Sequence, residues 1–159
     1  MSGNLDPVRR SLVVRCSAER AFRVFTEEMG TWWPLDQFAR SLEEAPPGVR
    51  ATGVLVESRA GGSVMEKLSE GGHLSWGQVL VWDPPRRLVL AWKPNPSERP
   101  PTELEITFRP EGTGTRVDLE HRGWERLGEI AAESRDGYSG GWVMVFDRCF
   151  GKAAERAAA

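Results

Sequence analysis

The sequence predicts an α+β domain in which an antiparallel sheet is covered on one face by a C-terminal helix. Three observations carry this. Short alternating segments separated by turn residues fill the middle of the chain. A capped helix follows the first alternating segment. The stretch from Tyr138 to Arg156 has helical spacing and an apolar front end that must be covered.

The elements follow in order. Val8, Arg10, Leu12, Val14 and Cys16 alternate with mostly polar neighbours and read as a strand. Ser17 is placed to cap a helix from Ala18 to about Met29, with Phe22, Phe25 and Met29 on one face and Gly30 as its stop. Trp32-Trp33-Pro34 follows as an aromatic plug. Residues 36–50 are polar, carry Pro46-Pro47-Gly48, and read as one short helix and a loop. Residues 53–59 and 63–68 flank Ala60-Gly61-Gly62 as a hairpin. Ser69-Glu70-Gly71-Gly72 turns into a long strand, 73–82, and Asp83-Pro84-Pro85-Arg86 turns into its return, 87–93. If that loop is tight, Trp82 faces Arg87 and Val79 faces Leu90. Leu88, Leu90, Trp92, Val79 and Val81 then point inward, and a bulge would shift this register.

Residues 93–101 form a loop broken by Pro94, Pro96, Pro100 and Pro101. Thr102 to Arg109 alternates with Leu104, Ile106 and Phe108 inward. A turn at 110–114 precedes the next strand, in which Val117 and Leu119 point in and the same parity carries His121 inward. Gly123-Trp124 breaks the strand, and 125–137 read as a polar linker. Ser139 can cap the final helix, with Trp142, Phe146, Cys149, Phe150 and Ala153 on one face. From Asp147 onward this helix turns polar, so its tail is wet and its front is embraced by the sheet.

At 159 residues the chain fits one domain, 1–159. With 40% hydrophobic and 28% charged residues it is an ordinary globular composition, not a disordered one. A net charge of −2 supplies no basic field for nucleic acid or anionic membrane. Cys16 and Cys149 offer neither a disulfide framework nor a C-x-x-C motif. No apolar leader or bilayer-length run occurs, so a cytoplasmic location is expected. The 7 tryptophans against 1 tyrosine suit a core that also lines a cavity.

The segment from Gly77 to Trp92, containing Val81-Trp82-Asp83-Pro84-Pro85-Arg86, resembles the central hairpin of the START-like (SRPBCC) superfamily. Glu19-Arg20-Ala21-Phe22, Trp32-Trp33-Pro34, Gly61-Gly62, His121-Arg122-Gly123-Trp124 and Tyr138-Ser139-Gly140-Gly141-Trp142 fall in the order of one branch. That branch is named after the C-terminal domain of the activator of the ninety-kilodalton heat-shock protein's ATPase. The resemblance implies a helix-grip fold: a curved antiparallel sheet of six or seven strands around a long C-terminal helix, with a cavity between. It says less about activity, because the superfamily holds lipid carriers, cyclases and co-chaperone domains.

The candidate cavity residues are Trp33, Trp92, His121, Trp124, Trp142, Met144 and Phe146. His121 reads as a polar anchor for a ligand oxygen or as a core histidine satisfied by a backbone carbonyl. Glu66 has inward parity, but the cost of burying an unpaired carboxylate favours a position facing water. Buried beside His121, it would complete an acid/base pair and a cyclase- or hydrolase-like site. Cys16, His73, His121 and Cys149 lack ligand spacing, and neither a Gly-x-Ser-x-Gly elbow nor a phosphate loop is present. No catalytic residue, metal or cofactor is assigned. The expected partner is a small apolar ligand, such as a lipid. A chaperone is the alternative, as for a co-chaperone-like interaction module, and a homodimer is left open.

Overall fold

The computed structural model describes residues 4–94 and 99–158; the expectation for Pro96 lies outside them. Seven strands form one curled antiparallel sheet, ordered β1-β7-β6-β5-β4-β3-β2. They are β1 (Val8–Val14), β2 (Ala51–Val56), β3 (Ser63–Leu68), β4 (His73–Asp83), β5 (Arg87–Trp92), β6 (Thr102–Glu111) and β7 (Gly114–Arg122). From β2 to β7 sequence neighbours are sheet neighbours, the meander that the turns predict. β1 pairs with β7 from Val8↔His121 to Val14↔Thr115. The sheet curls around a long C-terminal helix, the helix-grip arrangement.

Helix α1 (Ala18–Phe25) is capped as expected, with Ser17 Oγ accepting from the Arg20 backbone N–H at 3.1 Å. It ends before Met29, which opens a separate short helix, α2 (Met29–Trp32). Gly30 is therefore not a stop. It sits inside α2, where a Cβ would come within 2.9 Å of the Val54 backbone nitrogen, so its missing side chain lets α2 lie against β2. A third short helix, α3 (Ser41–Glu44), follows.

The C-terminal helix starts earlier than Ser139. A 3₁₀ segment (Trp124–Ile130) leads into α4 (Ala131–Trp142), then a π-helical stretch (Val143–Phe150), then α5 (Gly151–Ala158). Ser139 lies within α4 and caps nothing. Residues 131–137 look like a linker because this part of the helix is half-wet and needs no continuous apolar face. The wider π turn keeps Trp142, Phe146 and Phe150 buried at four-residue steps, with the last two rings stacked at 5.5 Å.

Two bulges in β4 decide which side chains face the interior. Val79 pairs with Leu90 as expected, but Val81 pairs with Val89 and Trp82 with Leu88. Leu80 is the extra residue, and it stands 44% exposed. The register slip turns Trp82 inward in place of Val81, and its ring meets Phe22 at 5.0 Å. A second shift pairs Val64 with Gly77 and Met65 with Ser75. Trp76 is then the extra residue, and it is fully buried.

The outer face of the sheet carries a network of ion pairs. Arg122 alone reaches Glu103, Glu105 and Glu120 at 3.3, 2.6 and 2.9 Å. Burial works against the Glu105 carboxylate, but hydrogen bonds from Arg87 and Arg122 prevail and hold its pKa below the ordinary range. The arginines and carboxylates of that face are thus engaged with one another.

Gly77 is the backbone condition for the Trp76 bulge. Its φ is +151°, and a Cβ there would stand 1.8 Å from the Ala91 carbonyl oxygen. Gly77→Ala should therefore destabilise the fold by roughly 2–4 kcal/mol, read as a lower midpoint in urea unfolding. An unchanged midpoint would mean that β4 and β5 are not held this close.

Candidate functional site

Four tryptophans from four parts of the chain meet under the front of the C-terminal helix. Trp33 follows α2, Trp76 lies on β4, Trp92 on β5 and Trp142 at the end of α4. Trp33 lies 4.8, 5.9 and 6.0 Å from Trp76, Trp92 and Trp142, and Trp92 lies 5.8 Å from Trp76 and 6.0 Å from Trp142. Offset and edge-on aromatic contacts of this kind add about 0.5–1.5 kcal/mol each beyond the burial of area. The box does not close on itself. Its rings form one side of a groove of about 410 Å³. Gly137, Tyr138, Gly141 and Val145 of the helix form another side, and the segment from Gln37 to Glu43 forms the third. Phe38 and Leu42 on that segment stay 40% and 57% exposed, so the groove has an apolar rim.

A buried hydrogen-bond chain fixes the helix over the sheet. The Trp142 indole N–H donates to His121 Nδ1 at 3.1 Å. An indole nitrogen only donates, so Nδ1 is the bare nitrogen and the ring proton sits on Nε2. Nε2–H then donates to Thr102 Oγ1 at 2.7 Å, and that hydroxyl donates to the Trp92 carbonyl at 3.2 Å. The chain ties α4 to β7, β6 and β5 in turn. His121 is fully buried, and burial lowers its pKa to about 3. It is a neutral framework residue. Side chains satisfy it, not the backbone carbonyl expected from sequence.

Glu66 corrects a second expectation. It does not face water: it is fully buried. Its carboxylate accepts from the Arg40 and Ser41 backbone N–H groups at 2.6 and 2.9 Å and from the Trp76 indole N–H at 2.9 Å. These three donors offset the desolvation that an unpaired carboxylate would suffer. The arrangement latches the 37–43 segment onto the sheet. Trp33 Nε1, donating to the Phe38 carbonyl at 2.7 Å, holds the same segment from the other end. Glu66 and His121 do not serve each other; each is engaged by its own partners.

The structure brings Trp33, Trp92 and Trp142 of the sequence candidates together on the groove. His121, Trp124 and Phe146 are buried in the packed layer behind it. Met144 is half-buried and outside the lining, because it lies two residues past Trp142 and turns away from the helix side that Trp142 and Val145 share. Trp76, Tyr138 and the 37–43 segment belong to the groove but were not among the candidates. A glycine inside a strand was the available cue for Trp76, since Gly77 marks the bulge that turns it inward.

A depression of about 570 Å³ between β1 and the helix tail is larger, but it is shallow and bounded by Asp147, Arg148, Lys152, Glu155 and Arg156. Volume alone therefore does not select the site; apolar enclosure does. Among the described residues no group of three or more histidine, cysteine or acidic side chains is placed to hold a metal ion, and no helix is long and apolar enough to cross a membrane.

Residues 15–149 match the family described as Activator of Hsp90 ATPase homolog 1-like protein. No curated protein matches the chain significantly. Among solved structures, an anthrahydroquino-gamma-pyrone synthase, Txn09, is 29% identical with a TM-score of 0.59, over 96% of this chain and 99% of that one. CalC, a self-sacrificing resistance protein from Micromonospora echinospora, is 28% identical with a TM-score of 0.64, over 98% and 99%. A Nitrosomonas europaea protein at 15% identity and TM-score 0.63, over 98% and 96%, shares the fold.

The neutral His121 makes stability depend on pH in a defined window. Its folded pKa is about 3 and its unfolded value 6.5, so the unfolded chain takes up the proton first. The stabilisation is complete above pH 6.5 and drains as the pH falls toward 3. Between pH 7 and pH 5, where carboxylates stay ionised, wild type should lose about 2 kcal/mol. His121→Gln should be less stable at pH 7 and lack this slope. A wild-type stability flat over that interval in urea unfolding would contradict the assignment.

Proposed function

We propose, from the premise that the chain belongs to the Activator of Hsp90 ATPase homolog 1-like family, that it binds a small apolar ligand in the groove between its sheet and C-terminal helix. The observation that carries this is the four-tryptophan box, which forms the wall of an open groove of about 410 Å³ instead of a filled core. A volume of this size lies in the range of small-molecule sites, about 300–1,000 Å³. The two relatives at 28% and 29% identity, a resistance protein and a synthase, favour small-molecule chemistry over a flat protein-docking role. Among the described residues, a chaperone-binding surface, the other reading of the family name, has no comparable built feature.

The helix supports the same reading. Gly137 and Gly141 lie four residues apart on one face and both line the groove. A Cβ at Gly137 would meet nothing within 4 Å, and one at Gly141 only the Phe38 ring edge at 4.0 Å. Neither glycine is needed for close packing, yet each weakens the helix by about 1 kcal/mol relative to alanine. Their effect is to keep the groove wide.

The test is a titration of tryptophan fluorescence with xanthene, a flat three-ring molecule without a carbonyl. Saturable quenching at one molecule per chain is expected. Gly137→Ala should raise the melting temperature and weaken xanthene binding about fivefold or more, opposite signs that a purely structural glycine would not give. Quenching that never saturates, or is untouched by the substitution, would remove the proposal.

A further inference from the structure

The segment from Gln37 to Glu43, the third side of the groove, is held chiefly by hydrogen bonds and not by buried apolar surface. Of its residues only Ser41 is buried. Phe38 and Leu42, its two large apolar side chains, are exposed, and neither belongs to the hydrophobic core. The attachments are polar. The Phe38 carbonyl accepts from the Trp33 indole N–H, and the Arg40 and Ser41 backbone N–H groups donate to the Glu66 carboxylate. Arg40 Nη1 donates to the Ser75 carbonyl at 2.7 Å.

Hydrogen bonds of this kind contribute modestly, because most of the freed groups bond to water when the segment lifts. Burial of apolar surface is the dominant source of cohesion in a fold, and this segment forgoes it. A segment so attached opens locally well before the domain unfolds. Glu66 fixes the point about which it opens. The same carboxylate that holds Arg40 and Ser41 also accepts from Trp76, a ring of the groove wall. Phe38 and Leu42 flank that pin in the chain, one before it and one after it, and both line the groove. A molecule in the groove therefore meets both side chains.

We infer that the 37–43 segment is a cover that opens and recloses in the free protein and is locked down by the apolar ligand of the groove. The inference rests on the groove reading above and adds how that site is controlled. In the free protein the Glu66 pin returns the segment to one register at each closure. With a ligand present, Phe38 and Leu42 gain the apolar surface that they lack, and part of the binding free energy goes into holding the cover down. The ligand thus favours the closed state by its contacts with these two side chains, which the open state does not offer.

Amide hydrogen exchange, read residue by residue, tests this. The Arg40 and Ser41 N–H groups donate to Glu66, so they exchange when that pin is released. The amides of β6, a strand paired on both sides, report unfolding of the whole domain in the same sample. In the free protein Arg40 and Ser41 should exchange about 100-fold or more faster than β6, and saturating xanthene should slow them about tenfold or more. Leu42→Ala removes an exposed side chain, so exchange in the free protein should keep its wild-type rates. Xanthene affinity should fall about fivefold in that variant, and the slowing at saturation should shrink. Arg40 and Ser41 exchanging as slowly as β6 in the free protein, or at the same rate with and without bound xanthene, overturn the inference and leave the groove reading standing. If xanthene does not bind, the groove reading falls and the inference falls with it.

Discussion

The hydrogen-bond chain from Trp142 through His121 and Thr102 to the Trp92 carbonyl is the constraint on which the rest of the structure depends. It joins the long helix to three adjacent strands through groups with no access to water. Each member can be satisfied only if the others stand where they do. A purely apolar contact between helix and sheet would tolerate sliding, because burial has no direction. The chain sets a rotation and a height for α4, and so sets which face of the helix looks into the groove. It also engages both His121 ring nitrogens and the Trp142 N–H.

The groove follows from that placement. With Trp142 fixed, its ring meets Trp92 and Trp33 at 6.0 Å, Gly137 faces open space, and Gly141 has only the Phe38 ring edge near it, at 4.0 Å. The 37–43 segment is held over the opening from the sheet side by Glu66. Two buried polar residues thus do complementary work: His121 holds the helix, and Glu66 holds the cover. Both lie in the framework around the groove, and their partners are within the protein.

Much of this was legible in the sequence where side chains alternate or recur at helical steps. The meander, the α1 cap at Ser17, the inward parity of His121 and the covered front of the last helix are all written in spacing. Trp33, Trp92 and Trp142 stood out as wide side chains on inward faces. The rest depended on signals that pattern cannot carry. The bulges at Trp76 and Leu80 reverse parity within one strand, and only Gly77 hints at the first. The start of the helix at Ala131 is masked by glycines and polar residues, the composition that a helix beside an open groove requires. Glu66 looked too costly to bury, because its three donors come from a distant loop and a bulged tryptophan. The 37–43 segment has no periodicity, so nothing local announces that it covers a site.

The ring-nitrogen resonances of His121, recorded in a long-range ¹H–¹⁵N experiment on the folded protein near neutral pH, test the central chain most directly. The structure predicts a neutral ring with the proton on Nε2 and a bare, hydrogen-bonded Nδ1, persisting without change down to pH 5. A proton on Nδ1, or a ring that titrates near its ordinary value, would mean that Trp142 does not donate to it and that the helix is not held in the way described.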